Sequence, residues 1–238
     1  MSDRDHEHLM EVTGPSARSL DILARALHVK NAELQPTLEA IVSTATRMLS
    51  PALYAGLTVF SGGKLTPLAS TGEVPLLLDR LQQELGDGPC VNAARRQSIF
   101  RIEDTGRDER WPQFSAEAMR LNVRSMLCVP LWIDERSLGA LSLYADQVAA
   151  FTDLHERVTT LLATFAALAL AEAQRAGQLH DALENRDVIG QAKGILMERH
   201  GLTADAAFGV LSRVSQAENM KLAEIARHLT RTGELQGG

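Results

Sequence analysis

Residues 186–233 read RDVIGQAKGILMERHGLTADAAFGVLSRVSQAENMKLAEIARHLTRTG, and their spacing of apolar residues predicts the structure of the C-terminal part of the chain. The first third of this stretch places apolar residues at the i, i+4, i+7 and i+8 spacing of one helix face. These residues are Val188, Ala192, Ile195 and Leu196. Gly201 follows, and glycine commonly ends a helix because it adopts positive φ without steric cost. The spacing therefore predicts an amphipathic helix that ends at Gly201.

Two further helices are predicted from the same stretch. Thr203 is suited to cap the second helix, and Asn219 is suited to cap a third helix that ends at Gly233. The predicted buried face of the second is Ala206, Ala207, Val210, Leu211 and Val214, and that of the third is Leu222, Ile225, Ala226 and Leu229. Helices this short are not stable alone, so they should pack on one another or on a second copy of the chain.

One flank of the first helix combines glycine with basic residues. Arg186, Gly190, Lys193 and Met197 share this flank, and Gly194 lies just beyond it. A glycine inside a helix costs about 1 kcal/mol relative to alanine, so something should offset the cost of these two. Close packing of a neighbouring helix would do so. The approach of a ligand backbone would also do so, with the neighbouring Lys and Arg contacting phosphates.

Residues 184–229 resemble the ANTAR domain, a three-helix RNA-binding module of bacterial transcription antiterminators. The resemblance rests on VIGQAKGILMERHGLTADAAF, followed by LSRVSQ and NMKLAEIARHL. It implies a dimer that binds paired RNA hairpins and prevents a terminator hairpin from forming. Ala192, Lys193 and Gly194 occupy the AKG signature of that family.

Side-chain chemistry adds four further candidates for RNA contact. These are Arg186, Arg199, Arg213 and Lys221. From residue 184 onward the chain has seven Lys and Arg against seven Asp and Glu, so the net charge of −6 lies in the preceding part. A neutral module has a weak overall electrostatic attraction for RNA, and its affinity would depend on local patches and on dimerisation.

Length and composition limit which kinds of domain and which cellular locations the rest of the chain allows. The 238 residues, of which 45% are hydrophobic, suffice for a sensor core and a small helical domain. The chain begins polar, without a basic region followed by an apolar one, so no secretory signal is predicted. Its uncharged apolar run LLATFAALALA, residues 161–171, is too short for a membrane span. We expect a cytoplasmic protein without a membrane partner.

The chain has only two cysteines, Cys90 and Cys128. Two cysteines do not make a disulfide framework, and no histidine or cysteine cluster suggests a metal site. In a reducing compartment both are expected to be buried thiols, with redox sensing as the alternative.

Residues 35–151 alternate helical patterns with short strands. YAGLTVF and KLTPLAS flank the turn Ser61-Gly62-Gly63 and predict a hairpin, and RSMLCVPLWI with SLGALSLYA predicts a second. Strand pairs flanked by helices indicate an α+β fold with a central antiparallel sheet. The segment from GDGPCVNAARR to SLGALSLYA resembles a GAF domain, a sensory fold of bacterial regulators. GAF followed by ANTAR matches a recurrent architecture of actinobacterial regulators.

The GAF resemblance leaves the ligand open, because function must be argued from the site. Residues 35–151 contain no histidine, which argues against haem, and both cysteines precede valine rather than the histidine usual at bilin sites. The cyclic-nucleotide pattern and the phosphate-binding glycine loops match weakly or not at all. No cofactor is predicted.

A small-molecule pocket is expected along Asp104, Arg107, Trp111 and Phe114, where Arg and Trp suit an anionic or aromatic ligand. Alternatively, Trp111 anchors the loop and Arg107 pairs with Asp104 or Asp108.

The residues after Phe151 predict one long helix that contains no proline. Leu161, Leu168, Ala182, Ile189 and Leu196 recur at multiples of seven, and Val158, Phe165 and Leu179 form a second row. Such a seam favours a two-stranded coiled coil, hence a homodimer. The predicted segments are a disordered tail (1–15), an N-terminal helix (16–34), a GAF sensor (35–170), a connecting coiled-coil helix (152–185) and an ANTAR domain (184–238).

Together these patterns indicate a signal-responsive, RNA-binding regulator of transcription antitermination rather than an enzyme. Two alternatives belong to other classes. One is a redox enzyme or sensor that uses Cys90 and Cys128 in the GAF half. The other is a DNA-binding protein with a helix-turn-helix ending, although the joining residues SQAEN are long for that motif.

Overall fold

A computed structural model describes residues 34–133 and 136–235 of the protein. The chain forms two compact units that divide after Ala173. The predicted tail (1–15) and nearly all of the predicted N-terminal helix (16–34) lie outside the described residues.

The first unit is built on a five-stranded antiparallel sheet in the order β2-β1-β5-β4-β3. The strands are β1 (Tyr54–Ser61), β2 (Lys64–Ser70), β3 (Phe100–Ile102), β4 (Ser125–Ile133) and β5 (Arg136–Ala145). Gly62 and Gly63 join β1 to β2 with φ of 58° and 80°, the positive values that a tight hairpin turn requires. The predicted α+β class and central antiparallel sheet are confirmed.

Four helices precede or interrupt the strands. They are α1 (Leu34–Met48), α2 (Glu73–Leu85), α3 (Pro89–Arg96) and α4 (Pro112–Arg120). The patterns TLEAIVSTATRML and FSAEAMRL predict helices at α1 and α4, but the sequence does not predict α2 or α3. The buried face of α2 includes the polar residues Asp79 and Gln82, which obscures its apolar periodicity. The third helix, α3, has only eight residues and begins with a proline.

Each face of the sheet supports its own hydrophobic core. Alternate residues of β4 point to opposite faces, so Leu127 and Val129 enter one core while Met126 and Cys128 enter the other. The first core also contains residues of α1 and of a long helix after the sheet. The second core contains residues of α2, α3 and α4.

The long helix α5 runs without interruption from Asp153 to His200. Its first part packs in the sheet core through Leu162, Ala163, Ala166, Ala167 and Leu170. By length and composition, α5 is the one helix among the described residues that could cross a membrane, with 33% of its apolar window buried. Part of this apolar stretch packs on the sheet, as the core helix of a domain does.

The predicted seam along α5 is only partly available to a second copy. Leu161 and Leu168 are 45% and 44% exposed, but Leu196 is 2% exposed and lies in the core of the second unit. Ile189 packs against that same core. The prediction was wrong for this end of the seam because helical and heptad periods nearly coincide over a few turns.

The second unit contains the end of α5, then α6 (Ala204–Glu218) and α7 (Leu222–Thr232). Thr203 caps α6 as predicted, since its Oγ1 accepts a hydrogen bond from the Ala206 N–H at 3.3 Å. Gly233 ends α7 as predicted, with φ 78° and its N–H donating to the Leu229 carbonyl. The core is formed by Ala192, Leu196, Ala207, Leu211, Ile225, Ala226 and Leu229.

Two details of this unit differ from the prediction. Asn219 does not cap the third helix; it takes φ 53° at the C-terminal end of α6, and Lys221 precedes α7. Asparagine tolerates this left-handed conformation because its short side chain can hydrogen-bond locally. Ala206, predicted to be buried, is exposed.

Candidate functional site

The predicted basic flank of α5 is open in the second unit. Gly190 and Gly194 are exposed, and a Cβ added to either would meet no atom within 4 Å. Close packing within the described chain therefore does not offset the cost of these glycines. Lys193, which lies between them, is half-buried and makes no ion pair with any described residue. Arg186 is exposed one turn before Gly190. We call Arg186, Gly190, Lys193 and Gly194 the glycine-basic face.

The AKG signature is divided between the core and this face. Ala192 is 0% exposed and packs in the core of the second unit. Its side chain is therefore not available for RNA contact, and the next two residues lie on the glycine-basic face. Ala192 belongs to the apolar stripe of the helix, so its spacing already predicted this burial.

The other RNA candidates differ in their surroundings. The Arg199 guanidinium donates a hydrogen bond to the Gly233 carbonyl oxygen and so ties the end of α5 to the end of α7. This contact gives Arg199 a structural task. Arg213 on α6 and Lys221 before α7 are exposed, and no described residue forms an ion pair with either.

A shallow basic groove lies along α7. Its volume is about 360 Å³, and its lining residues are Met220, Glu224, Arg227, His228 and Arg231. Arg227 Nη2 donates to Asn185 Oδ1 at 2.6 Å, which fixes its guanidinium beside α5. The groove thus brings Arg227, His228 and Arg231 together on one surface of α7.

The four residues proposed for a sensor pocket have two different environments. Phe114 and Trp111 are 0% and 8% exposed and pack in the second core of the sheet. Asp104 pairs with the exposed Arg107 at 3.5 Å and with Arg124 at 3.4 Å. The structure thus agrees with the alternative in which Trp111 anchors the loop. A ligand pocket at these residues stays a prediction.

Asp87 links this loop to the start of α3. Its Oδ1 accepts hydrogen bonds from Trp111 Nε1 at 3.3 Å, from the Gly88 N–H at 2.8 Å and from Asn92 Nδ2. Burial opposes the charged form, but these hydrogen bonds outweigh it and lower the pKa of Asp87. Asp87 therefore holds the indole of Trp111 against the N-terminus of α3.

Seven buried side chains form a polar group within the second core, which we call the polar cluster. Each is at most 3% exposed: Thr58, Asp79, Gln82, Cys90, Cys128, Ser142 and Tyr144. Asp79 accepts a hydrogen bond from Thr58, and Gln82 Oε1 accepts one from the Cys90 N–H at 2.8 Å. Sequence reasoning missed this cluster, except for the two cysteines. Its one local signal was an acid and an amide three residues apart on α2, beside Leu78.

Burial has a large electrostatic effect in the polar cluster. It raises the pKa of Asp79 from 3.8 to about 6, although hydrogen bonds from Thr58 and Cys90 act in the opposite direction. Burial also raises the pKa of Cys128 well above its usual value, which keeps that thiol protonated. The Tyr144 hydroxyl is buried and has no hydrogen-bond partner among the described residues.

The comparisons with known proteins agree with both units. Residues 31–171 match the GAF domain family, and residues 177–229 match the ANTAR domain family. No curated protein matches the sequence.

Solved structures resemble the first unit in fold. The GAF domain of an Acinetobacter phosphoenolpyruvate-protein phosphotransferase is 17% identical, covers 74% of this chain and 97% of its own, and has a TM-score of 0.53. The free methionine-R-sulfoxide reductase of Neisseria meningitidis, solved in complex with its substrate, is 16% identical to this chain and has a TM-score of 0.52. The match covers 65% of this chain and 87% of the reductase chain. At such identities the likeness shows the fold alone.

The GAF match covers more than half of the chain, and the ANTAR match follows it directly. The ANTAR domain implies RNA binding in transcription antitermination, and the GAF domain implies sensing. Neither implies an enzyme. The chain therefore belongs to the GAF-domain family and carries a C-terminal ANTAR domain, the architecture of a sensor-linked RNA-binding antitermination regulator.

Proposed function

We propose that the protein is a homodimer whose two C-terminal units bind paired RNA hairpins through the glycine-basic face and so prevent a terminator hairpin from forming. The observation that carries this proposal is the exposure of Gly190 and Gly194 on either side of Lys193. The proposed segments are the sensor at 35–170, the connecting helix at 152–185 and the RNA-binding domain at 184–238.

The chemistry of this face suits a phosphate backbone. Exposed glycines leave the helix surface without side chains, so an RNA strand can approach closely. Lys193 and Arg186 then supply the positive charges that contact phosphates. Arg213 and Lys221 are the other proposed contacts, because both are exposed and without ion pairs to described residues. Arg199 would support binding indirectly, since it fixes the end of α7.

The exposed leucines of α5 support the dimer. Leu154, Leu161 and Leu168 are 58%, 45% and 44% exposed and lie seven residues apart. Further along the same helix, Leu179 and Leu183 are 63% and 50% exposed. A second copy of α5 would bury these side chains in a coiled coil. The two RNA-binding units of such a dimer would then bind the two hairpins of the RNA.

The sensor half would act on the RNA-binding half through α5, which is continuous across the boundary between the units. A small molecule in the GAF domain would favour one arrangement of the paired helices over another. The proposed pocket residues remain Asp104, Arg107, Trp111 and Phe114. No cofactor is proposed, and the proposed location is the cytoplasm.

The test is salt-dependent binding of the full-length protein to a paired-hairpin RNA, with an RNA whose loops are unpaired and a duplex DNA as comparisons. We expect preference for the paired hairpin, weaker binding with rising salt, and a clear loss of affinity in Lys193→Ala. Lys64→Ala is the matched control, because Lys64 is an exposed lysine on β2 of the other unit. Equal affinity of the two variants would contradict the assignment of the face.

The comparison with duplex DNA tests the helix-turn-helix alternative. Only residues 219–221 join α6 to α7, which is shorter than SQAEN suggests and within the length of such a turn. Loop length therefore does not exclude that alternative, contrary to the expectation from sequence. Preference for duplex DNA over hairpin RNA would favour it.

A further inference from the structure

The two thiols of the chain meet in the polar cluster. Cys90 Sγ lies 3.8 Å from Cys128 Sγ, although the residues are 38 positions apart. The same sulfur lies 3.1 Å from Ser142 Oγ, whose hydroxyl is 3.4 Å from Cys128 Sγ. A disulfide has an S–S distance of about 2 Å, so the sulfurs need to approach by roughly a further 2 Å to bond. Bond formation therefore requires a rotamer change or a small shift of α3.

We propose that Cys90 and Cys128 form a reversible dithiol–disulfide couple through which a peroxide acts on the GAF domain. This inference rests on the sensing role in the proposed function and names the class of its signal. Gln82 fixes the backbone of Cys90 by accepting its N–H at 2.8 Å, and the Ser142 hydroxyl contacts both sulfurs.

The surroundings of the two sulfurs give them different roles in the reaction with peroxide. Cys90 lies in the first turn of α3, three residues after the exposed Asp87, so local opening of this turn admits a small oxidant. Cys128 lies in the middle of β4, and its thiol stays protonated because burial raises its pKa. Cys90 is therefore the sulfur that meets the peroxide, and Cys128 is the resolving thiol.

The reaction has two balanced steps. The Cys90 thiolate attacks one oxygen of hydrogen peroxide, the O–O bond breaks, and Cys90 sulfenic acid and hydroxide form. The Cys128 sulfur then attacks the sulfenic sulfur, the S–OH bond breaks, and water leaves with the thiol proton of Cys128. Two thiols are oxidised and one peroxide is reduced to two waters once hydroxide takes the proton lost from Cys90. An external dithiol restores the reduced pair by exchange.

A chain of contacts connects α3 to the beginning of α5. Asp87, just before α3, accepts from Trp111 Nε1 at 3.3 Å, and the Arg110 guanidinium lies 4.7 Å from the Trp111 ring centre. Arg110 Nη2 in turn donates to the Arg101 carbonyl oxygen at 3.3 Å. Arg101 holds Asp153 and Glu156 in the first turn of α5. Moving α3 toward β4 therefore disturbs contacts that end on the long helix.

The first measurement is peptide mapping of the full-length protein by mass spectrometry, without reduction, before and after graded hydrogen peroxide. We expect one intramolecular cross-link between the Cys90 and Cys128 peptides, with loss of the mass of two hydrogen atoms, reversed by dithiothreitol. Cys90→Ser and Cys128→Ser should each abolish it. Ser142→Ala, which keeps both thiols, should retain it. Circular dichroism checks that each variant is folded.

Oxidation that stops at sulfinic acid on Cys90 would overturn the proposal, as would cross-links only between chains. The second measurement is hydrogen exchange at the start of α5, where the disulfide should change protection in wild type but not in Cys90→Ser. Hairpin RNA affinity of the oxidised protein should differ from that of the reduced protein by about 5-fold or more.

The two proposals fail in different ways. Unchanged RNA affinity in a protein that binds the hairpin and forms the disulfide would overturn the signalling role of the couple. Failure of both redox forms to bind the hairpin would count against the proposed function, and the mass and exchange data would still decide whether the couple exists.

Discussion

Arg101 Nη2 lies 2.6 Å from Glu156 Oε2, and this ion pair joins the short edge strand β3 to the first turn of α5. The same nitrogen contacts Asp153 Oδ1 at 2.9 Å. These hydrogen bonds raise the pKa of Arg101, whose side chain is 26% exposed. The Arg101 guanidinium therefore links the beginning of α5 to the edge of the sheet.

Replacing Arg101 with glutamine should loosen the first turn of α5. We expect faster hydrogen exchange at residues 153–157 and a loss of about 1 kcal/mol or less in the free energy of unfolding, because partly exposed ion pairs contribute little. Arg107→Gln is the control, since Arg107 is 89% exposed and, among the described residues, its side chain pairs with Asp104 of the same loop. Identical exchange in the two variants would show that Arg101 does not hold the helix.

Asp79 should make the first unit less stable as pH rises. The pKa of Asp79 is about 6 in the folded protein, while its ordinary value of 3.8 applies to the unfolded chain. Between these two pH values the folded form retains a proton that the unfolded form has lost. Stability contributed by the neutral carboxyl is present below pH 3.8 and disappears as pH rises to about 6. The full change is up to about 3 kcal/mol.

The measurement is urea unfolding of wild type and Asp79→Asn between pH 4 and pH 8. Asparagine carries no charge, and its oxygen still accepts from Thr58, so the variant should gain stability relative to wild type as pH rises. A difference between the two proteins that stays constant over this range would contradict the raised pKa.

Gly194→Ala should separate RNA binding from stability. The added methyl group meets no atom within 4 Å, so the helix should become more stable by up to about 1 kcal/mol. The same methyl group stands on the glycine-basic face and should weaken hairpin RNA binding. Thermal unfolding and RNA titration measure the two effects.

Gly209 provides the matched control for that experiment. It also lies inside a helix, α6, with no atom within 4 Å of an added Cβ. Gly209→Ala should give the same gain in stability and leave RNA affinity unchanged. If both alanine variants bind RNA as wild type does, close approach of the RNA backbone at Gly194 is ruled out.

The exposed leucines of α5 should govern the oligomeric state. Leu161→Glu combined with Leu168→Glu puts two charges on the exposed face of the helix, which should convert a dimer to a monomer in sedimentation velocity experiments. Leu53→Glu is the control, because Leu53 is 48% exposed but lies outside the helix, just before β1. Wild-type protein that sediments as a monomer would remove the basis of the dimer proposal.

Local signals explain what the sequence predicted well. The hairpin turn at Gly62 and Gly63, the Thr203 cap and the end of α7 at Gly233 each depend on a few adjacent residues with specific backbone preferences. The GAF and ANTAR assignments rest on dense motifs of neighbouring residues, so the sequence alone suffices to name both families.

Features that depend on distant residues were not predicted. The polar cluster joins β1, α2, α3, β4 and β5, and only the fold brings Thr58, Asp79 and Ser142 together. The helix α2 was missed because its buried face carries an acid and an amide. Leu196 fits both a coiled-coil seam and a helix stripe, and only tertiary packing places it in the core of the second unit.

The unpaired hydroxyl of Tyr144 has a consequence for the free energy of the first unit. A buried polar group without a partner costs roughly 1–3 kcal/mol, a penalty that phenylalanine at this position would avoid. The resting core is thus held above the lowest free energy available to its shape. Any rearrangement that brings an acceptor to this oxygen recovers part of that difference.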